Sequence, residues 1–332
     1  MKIAILGPGA LGCLLAAKFT LAGEDVRLVD YRPERVAQLR RQGLLLRTPA
    51  GGEEKIRASV GLAVEAGLTD LVILTVKTYQ TAGAVAALPQ LLSPGGIALT
   101  LQNGLGNLEE MARVLGPKRL LGGATILGAT KLRDGEVLLA GVGPTYIGPP
   151  AGSQVSPERL EAVAALFRRA GLPCEVREDI AAVLWEKLLV NVGINPLTAL
   201  LRIKNGDLPN LAAAWGLAVT AATEAQAVAK AQGVPLAVNP EACLRQVCVA
   251  TAANYSSMLQ DVLAGRRTEI DALSAQVVLR GAAAGLPTPV NHVLTELIRA
   301  LESVRQKNQE TGPGPGAQSP LSHLKTFQDS CS

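Results

Sequence analysis

The sequence predicts an α/β domain built on a parallel sheet, followed by an all-α helical bundle, and three observations carry that expectation. First, apolar strand-like runs alternate with helical patterns as far as about residue 178, the arrangement expected of βα units. Second, the apolar run Lys2–Leu6 leads straight into Gly7-Pro8-Gly9-Ala10-Leu11-Gly12 and a helix-like segment ending near Ala22. Third, strand patterns vanish after Asp179 and long helical periods replace them. At 332 residues and 48% apolar, the chain exceeds the usual size of one domain. Residues 1–178 are therefore expected to form the first domain, 179–306 the second, and 307–332 a tail.

The glycine-rich turn comes first. Gly7 permits a tight turn, Gly9 lets the backbone approach a pyrophosphate, and Gly12 lets the helix pack close to its strand, with the helix N-terminus facing the phosphates. In its strand-turn-helix context this is the fingerprint of a Rossmann-like dinucleotide-binding domain; the alternative is a glycine-rich turn with no ligand. Residues 26–29 are expected as the second strand, carrying Asp30, Tyr31 and Arg32 at its carboxyl end, where such folds contact the adenosine ribose. Residues 71–76 and 97–102 are apolar enough for parallel strands covered on both faces. They deliver Lys77 and Asn103 to the same ligand-binding edge of the sheet. Glycine-bounded strands at Leu120–Thr125, 136–140 and Thr145–Gly148, a helix capped by Ser156 and closed by Gly171, and a strand at 174–177 are expected to extend that sheet.

The helical part divides into 180–195, 208–232, 241–263, 267–284 and 290–306, with Gly233-Val-Pro235 and Gly285-Leu-Pro287 as matched stops. Beyond Lys307 the composition turns to Gly, Pro and Ser, expected of a mobile tail whose one candidate anchor is the stretch 321–327.

Composition narrows the function. Aromatic residues are only 3% of the chain, which leaves no stacking platform for nucleic-acid bases. The net charge of +4 is spread without a basic block, against nucleic acid or an anionic membrane as the main partner. Cys13, Cys174, Cys243, Cys248 and Cys331 are odd in number and lack CxxC spacing, which points to a reduced, cytoplasmic setting rather than a disulfide framework. His292 and His323 lie far from any ligand cluster, so no metal is expected. Pro8 and the glycines of the N-terminal run suit a strand-turn-helix better than a signal peptide. No stretch of about 20 apolar residues runs without Pro, Gly or polar punctuation, so no membrane span is expected.

Two polar constellations stand out. Lys187, Asn191 and Asn195 interrupt an otherwise apolar helix at steps of four, which places them on one stripe. An ammonium among aliphatics costs several kcal/mol unless it is paired or deprotonated, and either state suits a proton donor. The plainer alternative is a snorkelling lysine, with Asn195-Pro196 as a helix stop. Asn254, Ser257 and Asp261 share a helical face by three- and four-residue steps, and Glu269 follows the Gly265 break. Asn and Ser there suffice to hold a carboxylate, and the glutamate to pair with Lys187 or hold a hydroxyl; the alternative is a solvated face.

The stretches LWEKLLVNVGINPLTAL, NYSSMLQD and RRTEID, with GPGALG, TVKTYQ and LQNG, closely resemble those of the ketopantoate reductases, in the same order from Met1 to about Arg305. The resemblance implies a C-terminal bundle like that of 6-phosphogluconate dehydrogenase, and NADPH-dependent reduction of 2-dehydropantoate to pantoate in pantothenate and coenzyme A biosynthesis. It implies that Lys187 gives the substrate ketone its proton, within an active-site network that includes Glu269. It implies that Asn191, Asn195, Asn205, Asn254 and Ser257 bind substrate, and that Lys77, Asn103 and the backbone of Ala129 meet the cofactor. The implied partner is a small 2-keto acid, with a homodimer left open.

The chain departs from that family at Val29-Asp30-Tyr31-Arg32, where an arginine commonly ends the strand. An acid at position 30, 18 residues beyond Gly12, normally accepts the ribose hydroxyls and favours NAD(H). Arg32 can reach a 2′-phosphate if Asp30 turns aside or pairs with Arg35, and the resemblance favours NADP(H). A reductase of another branched 2-keto acid and a non-catalytic dinucleotide sensor are the alternatives. Lys187, Asn191 and Glu269 together speak against the sensor, which needs no proton donor.

Overall fold

The computed structural model describes residues 1–310, so most of the tail expected over 307–332, with its candidate anchor at 321–327, His323 and Cys331, lies outside the described residues. The first part alternates β1 (Lys2–Leu6), α1 (Ala10–Leu21), β2 (Asp25–Val29), α2 (Pro33–Gln42), β3 (Leu44–Arg47), β4 (Glu53–Ile56), β5 (Ser59–Gly61), α3 (Ala63–Ala66), β6 (Thr69–Leu74), α4 (Thr81–Val85), α5 (Leu88–Leu91) and β7 (Leu92–Thr100). It continues with α6 (Asn107–Leu115), β8 (Leu120–Thr125), β9 (Gly128–Arg133), β10 (Glu136–Gly141), β11 (Thr145–Gly148), α7 (Pro157–Arg169) and β12 (Cys174–Val176). The rest is helical: α8 (Ile180–Leu201), α9 (Ala212–Ala231), α10 (Pro240–Ala250), α11 (Ser257–Leu263), α12 (Ser274–Ala283) and α13 (Pro289–Glu310).

Eight strands form one sheet in the order β12-β11-β8-β7-β6-β1-β2-β5. The run from β5 to β8 is parallel, while β11 is antiparallel to β8. Alternate residues bury to opposite faces. Ile3, Ile5, Leu71, Ile73 and Leu99 join the cluster under α1 and α7, whereas Ala4, Leu6, Val72, Leu74 and Ala98 join the one under α5 and α6. Each large aliphatic buried this way contributes about 1.5–3 kcal/mol. Because β2 lies on one side of β1 and β6 on the other, the winding reverses at β1, and a ligand crevice opens beyond its carboxyl end.

Residues 136–141 do not extend that sheet as expected. They pair with β9 and β3 in a second, four-stranded sheet of order β4-β3-β10-β9. The reason lies in α1, whose Cys13, Leu14, Leu15, Ala16, Ala17 and Phe19 are all buried. A helix apolar on every side needs cover on its outer face as well, and β3, β9 and β10 pack there.

In the bundle, α8 does not stop at Asn195 but passes through Pro196 to Leu201. Leu197, Thr198 and Ala199 are buried, and the Thr198 hydroxyl donates to the Ile194 carbonyl at 2.8 Å; together these offset the roughly 3 kcal/mol that an interior proline costs. α8 is also long and apolar enough to cross a membrane, but Trp185, Leu188, Leu189 and Val192 form the centre of the bundle core. The helix expected over 241–263 is two helices, because Ser256 turns its hydroxyl onto the Leu259 N–H at 3.1 Å and starts α11 afresh. Asn254 therefore sits in the connecting turn, not on the helical face of Ser257 and Asp261. Likewise, the helix expected from 267 begins only at Ser274, and α13 runs past the expected tail boundary to Glu310.

Candidate active site

β1 ends in Gly7, which turns at φ +107° and donates its N–H to the Val29 carbonyl at 3.0 Å. A Cβ on Gly7 would lie 2.8 Å from the Val76 nitrogen, and one on Gly12 would lie 1.9 Å from the Gly7 oxygen, so packing alone demands both glycines. Gly9 is different. A Cβ there meets nothing nearer than the Thr75 oxygen at 3.9 Å, so no protein atom requires a glycine. The open space lies at the start of α1, where no side chain caps the first N–H groups. Free helix N–H groups beside a side-chain-free backbone fit a pyrophosphate, so the turn, including Pro8, Ala10 and Leu11, suits a dinucleotide.

At the end of β2, Asp30 is buried; its Oδ1 accepts from the Tyr31 N–H at 2.8 Å, and its Oδ2 has no hydrogen-bond partner. Arg35 Nε stands 3.5 Å and Arg32 Nη2 3.6 Å from that oxygen, so Asp30 is paired with Arg35 as the arginine alternative requires. Arg35 also donates to the Pro8 carbonyl and lies 3.0 Å from Asp134, which Lys131 contacts at 2.6 Å. Desolvation alone would raise the Asp134 pKa, but the Lys131 hydrogen bond and the Arg35 charge outweigh it and hold the carboxyl below its ordinary value. Arg32 stays 45% exposed, stacked 5.5 Å from the Tyr31 ring centre.

Beyond β6 and β7 the two parts of the chain meet. Lys77 Nζ lies 2.6 Å from Asp261 Oδ2 and 3.3 Å from Glu269 Oε2. Glu269 also accepts from the Thr78 N–H at 3.1 Å and the Asn103 amide at 3.2 Å. Burial alone would lower the Lys77 pKa, but Glu269 and Asp261 outweigh it and hold the ammonium above the ordinary lysine value. Lys77, expected at the cofactor, thus spends its charge on the helical domain, and Glu269, expected to pair with Lys187, pairs with Lys77. Two buried carboxylates need cations: the tip of β6 supplies Lys77 to both, and Arg266 Nε holds the other Asp261 oxygen at 2.9 Å. The backbone is clamped here too: Leu105 donates to the Ala272 carbonyl at 3.0 Å.

Lys187 projects from α8 to the end of β8, where its Nζ donates to the Thr125 carbonyl at 2.9 Å. Burial pushes its pKa down from 10.5 to about 8, and the negative charge of Glu269 opposes that fall. The lysine is therefore protonated at neutral pH yet close to giving up its proton.

The other expected residues are spread around this point. Asn191 and Asn195 share a long 3.4 Å contact on α8. Asn205 is buried; its amide donates to Thr251 Oγ1 at 2.9 Å, its N–H donates to the Asn254 carbonyl at 3.0 Å, and its Oδ1 has no partner. The side chains of Asn254 and Ser257 are exposed. Ala129 lies on β9 opposite Leu139. Asp261, Thr78 and Thr125 went unassigned in the sequence. A lone acid on the apolar α11 was a usable signal for Asp261, whereas Thr78 and Thr125 act through their backbone and leave no trace in side-chain chemistry.

The family model "Ketopantoate reductase PanE/ApbA" matches residues 3–152, and its C-terminal counterpart matches residues 179–302. The chain belongs to the ketopantoate reductase family. It is 37% identical over 301 residues to a 2-dehydropantoate 2-reductase of Halobacterium salinarum, covering 90% of this chain and 98% of that one. A counterpart in Pyrococcus horikoshii is 35% identical over 305 residues, covering 92% and 98%. Among solved structures, a ketopantoate reductase family member from Ralstonia eutropha superposes with a TM-score of 0.83 at 31% identity, over 92% of this chain and 100% of that one. D-mandelate dehydrogenase with NADH and anilino(oxo)acetate superposes with 0.85 at 26% identity over the same shares. The Rossmann-like domain and helical bundle are thus those of a ketopantoate reductase family enzyme.

Proposed function

We propose that this enzyme reduces 2-dehydropantoate (ketopantoate) to pantoate with NADPH in the cytoplasm. The observation that supports this most is Lys187, a lysine lowered to about pKa 8 and aimed at the seam between the domains, in a chain of this family. The nicotinamide, when bound, supplies the hydride. As negative charge grows on the ketone oxygen, the Lys187 ammonium donates to it at about 2.6–3.2 Å and then transfers its proton. The resulting neutral amine suits its burial and is recharged from solvent. Asn191, Asn195, Asn254 and Ser257 hold the substrate. Asn205, whose N–H donates to the Asn254 carbonyl at 3.0 Å, supports that group. Lys77, Asp261, Glu269 and Asn103 fix the two domains around the reacting atoms and exclude water.

For the reductant, Arg32, Arg35 and Lys131 stand against Asp30 and Asp134. The excess of one cation suits a further phosphate, and Arg32 is the exposed member free to move onto it. A second reading has its own support: Asp30 Oδ2 lacks a hydrogen-bond partner, as an acceptor for ribose hydroxyls would, which favours NADH and a different 2-keto acid. Steady-state cofactor oxidation, with ketopantoate, its unbranched analogues and phenylglyoxylate against NADPH and NADH, tests both. The highest kcat/KM is expected for ketopantoate with NADPH. A preference for NADH with another acid supports the second reading, and no oxidation in any pairing contradicts both.

A further inference from the structure

We infer that Asp134, carried by the turn between β9 and β10, is a specificity-determining residue for the reductant: through Arg35 and Lys131 it tempers the positive charge that a 2′-phosphate of the dinucleotide meets beside Asp30. The inference rests on the reading that Asp30 and Arg32 stand at the adenosine ribose. The turn belongs to the second sheet, outside the strand-turn-helix unit suited to the pyrophosphate, and it is fastened to α2. Gln42 Nε2 donates to the Asp134 carbonyl at 2.6 Å, and the Leu45 N–H donates to the Gly135 carbonyl at 2.8 Å. Gly135 turns at φ +77°, and a Cβ there would lie 2.8 Å from Leu39 Cδ2, so the turn backbone rests directly on the helix. The carboxylate therefore has a fixed place. Arg35 Nη2 stands 3.0 Å and Lys131 Nζ 2.6 Å from the same oxygen, Asp134 Oδ1. An Asp-Gly pair serves a hairpin through its backbone, and that role does not require a carboxylate set on two cations.

Arg35 joins this turn to the dinucleotide end of the sheet. Its Nε stands 3.5 Å from Asp30 Oδ2 and its guanidinium donates to the Pro8 carbonyl of the glycine-rich turn, so Asp134 lies one guanidinium away from Asp30. The Arg35 side chain is only 11% exposed and acts through its charge, whereas Arg32 and Lys131, at 45% and 34%, present surface that a phosphate can touch. Arg32, Arg35 and Lys131 against Asp30 and Asp134 leave one positive charge at this edge, and neutralising Asp134 leaves two. Two consequences follow with the same sign. Lys131 is released toward the phosphate, and Arg35 turns its whole charge on Asp30, which weakens the repulsion that Asp30 exerts. Because NADPH differs from NADH only by the 2′-phosphate, both effects favour NADPH.

Binding rather than turnover tests this, since it needs no choice of substrate. Dissociation constants for NADPH and NADH are measured by reduced-nicotinamide fluorescence in wild type, Asp134→Asn, Lys131→Met and the double variant, at low salt. The ratio of the two constants cancels whatever a substitution does to the fold or to the shared pyrophosphate site. Asp134→Asn, which keeps the shape and removes the charge, is expected to raise the preference for NADPH by about three- to tenfold, the scale of one charge near a phosphate at the surface. Lys131→Met is expected to lower it by a similar factor, and the double variant to fall between the two. At about 1 M salt, where exposed charges are screened beyond about 3 Å, these shifts are expected to shrink. A ratio unchanged or lowered in Asp134→Asn overturns the proposal, as does a shift that survives about 1 M salt intact. Arg32→Ala, measured alongside, tests the placing of the ribose itself. If it lowers the preference while Asp134→Asn leaves it unmoved, the role of Asp134 alone is refuted; if neither moves it, the ribose does not lie at this edge.

Discussion

Replacing Lys187 by Met is expected to stabilise the protein at neutral pH while removing its proton donor. Burial lowers the Lys187 pKa from 10.5 to about 8. At about 1.4 kcal/mol per unit, keeping the ammonium charged in the folded state costs about 3 kcal/mol at pH 7. The bond to the Thr125 carbonyl is lost in the variant, which reduces the net gain to about 1–3 kcal/mol. The pH dependence fixes the cause. Below pH 8 both folded and unfolded chains carry the proton and the whole penalty is present. Between about pH 8 and 10.5 the unfolded chain keeps a proton that the folded chain releases, so wild-type stability rises with pH. The advantage of Lys187→Met is therefore expected to shrink across that window and vanish above it. Urea unfolding of both proteins at pH 7, 9 and 10.5 measures this. A variant less stable than wild type at pH 7, or an advantage that does not change with pH, would refute burial as the cause of the lowered pKa.

Ser257→Ala is expected to raise the KM for the keto acid by about ten- to a hundredfold, the 1.5–3 kcal/mol of a hydrogen bond to a charged group, with the cofactor KM unchanged; equal KM values for the keto acid would remove Ser257 from the site. Asp30→Ala is expected to raise the ratio of kcat/KM for NADPH over NADH by about tenfold, since removing one like charge near the phosphate, itself partly offset by Arg32 and Arg35, relieves about 1–2 kcal/mol of repulsion. An unchanged ratio would mean that Asp30 is fully neutralised by Arg32 and Arg35. Gly12→Ala places a Cβ 1.9 Å from the Gly7 oxygen, so α1 must retreat from β1. A loss of more than about 2 kcal/mol in stability and weakened dinucleotide binding are expected; a melting curve and cofactor titration like wild type would show that the turn is slack.

The legible parts of the chain are those where one residue type answers to one geometric demand. Gly7 and Gly12 are required by contacts under 3 Å, and the Lys187, Asn191, Asn195 stripe follows from the helical period, so both stand out in the sequence. The second sheet does not. β4 reads Glu-Glu-Lys-Ile with its first three residues exposed, β3 spans only four residues, and only the all-round apolarity of α1 implied that something covers it. Helix ends were obscured where tertiary packing overrode local chemistry at Pro196, and where Ser256 capped a new helix within a stretch expected to be continuous. The partner of Glu269 was hidden for a different reason. Lys77 lies 192 positions away, and nothing in the spacing distinguishes it from Lys187 as the cation that the carboxylate meets.

The assignment of Lys187 is tested most directly by kcat/KM for ketopantoate reduction as a function of pH in wild type, Glu269→Gln and Lys187→Ala. Wild type is expected to lose activity above an apparent pKa of about 8, as the free enzyme's proton donor is titrated. Glu269→Gln removes the negative charge that holds the Lys187 pKa up, so its limb is expected to move to lower pH. Lys187→Ala is expected to lose about a hundredfold or more in turnover and to show no such limb. A wild-type profile flat through pH 9, or a Lys187→Ala variant with near wild-type turnover, would contradict the assignment of Lys187 as the proton donor.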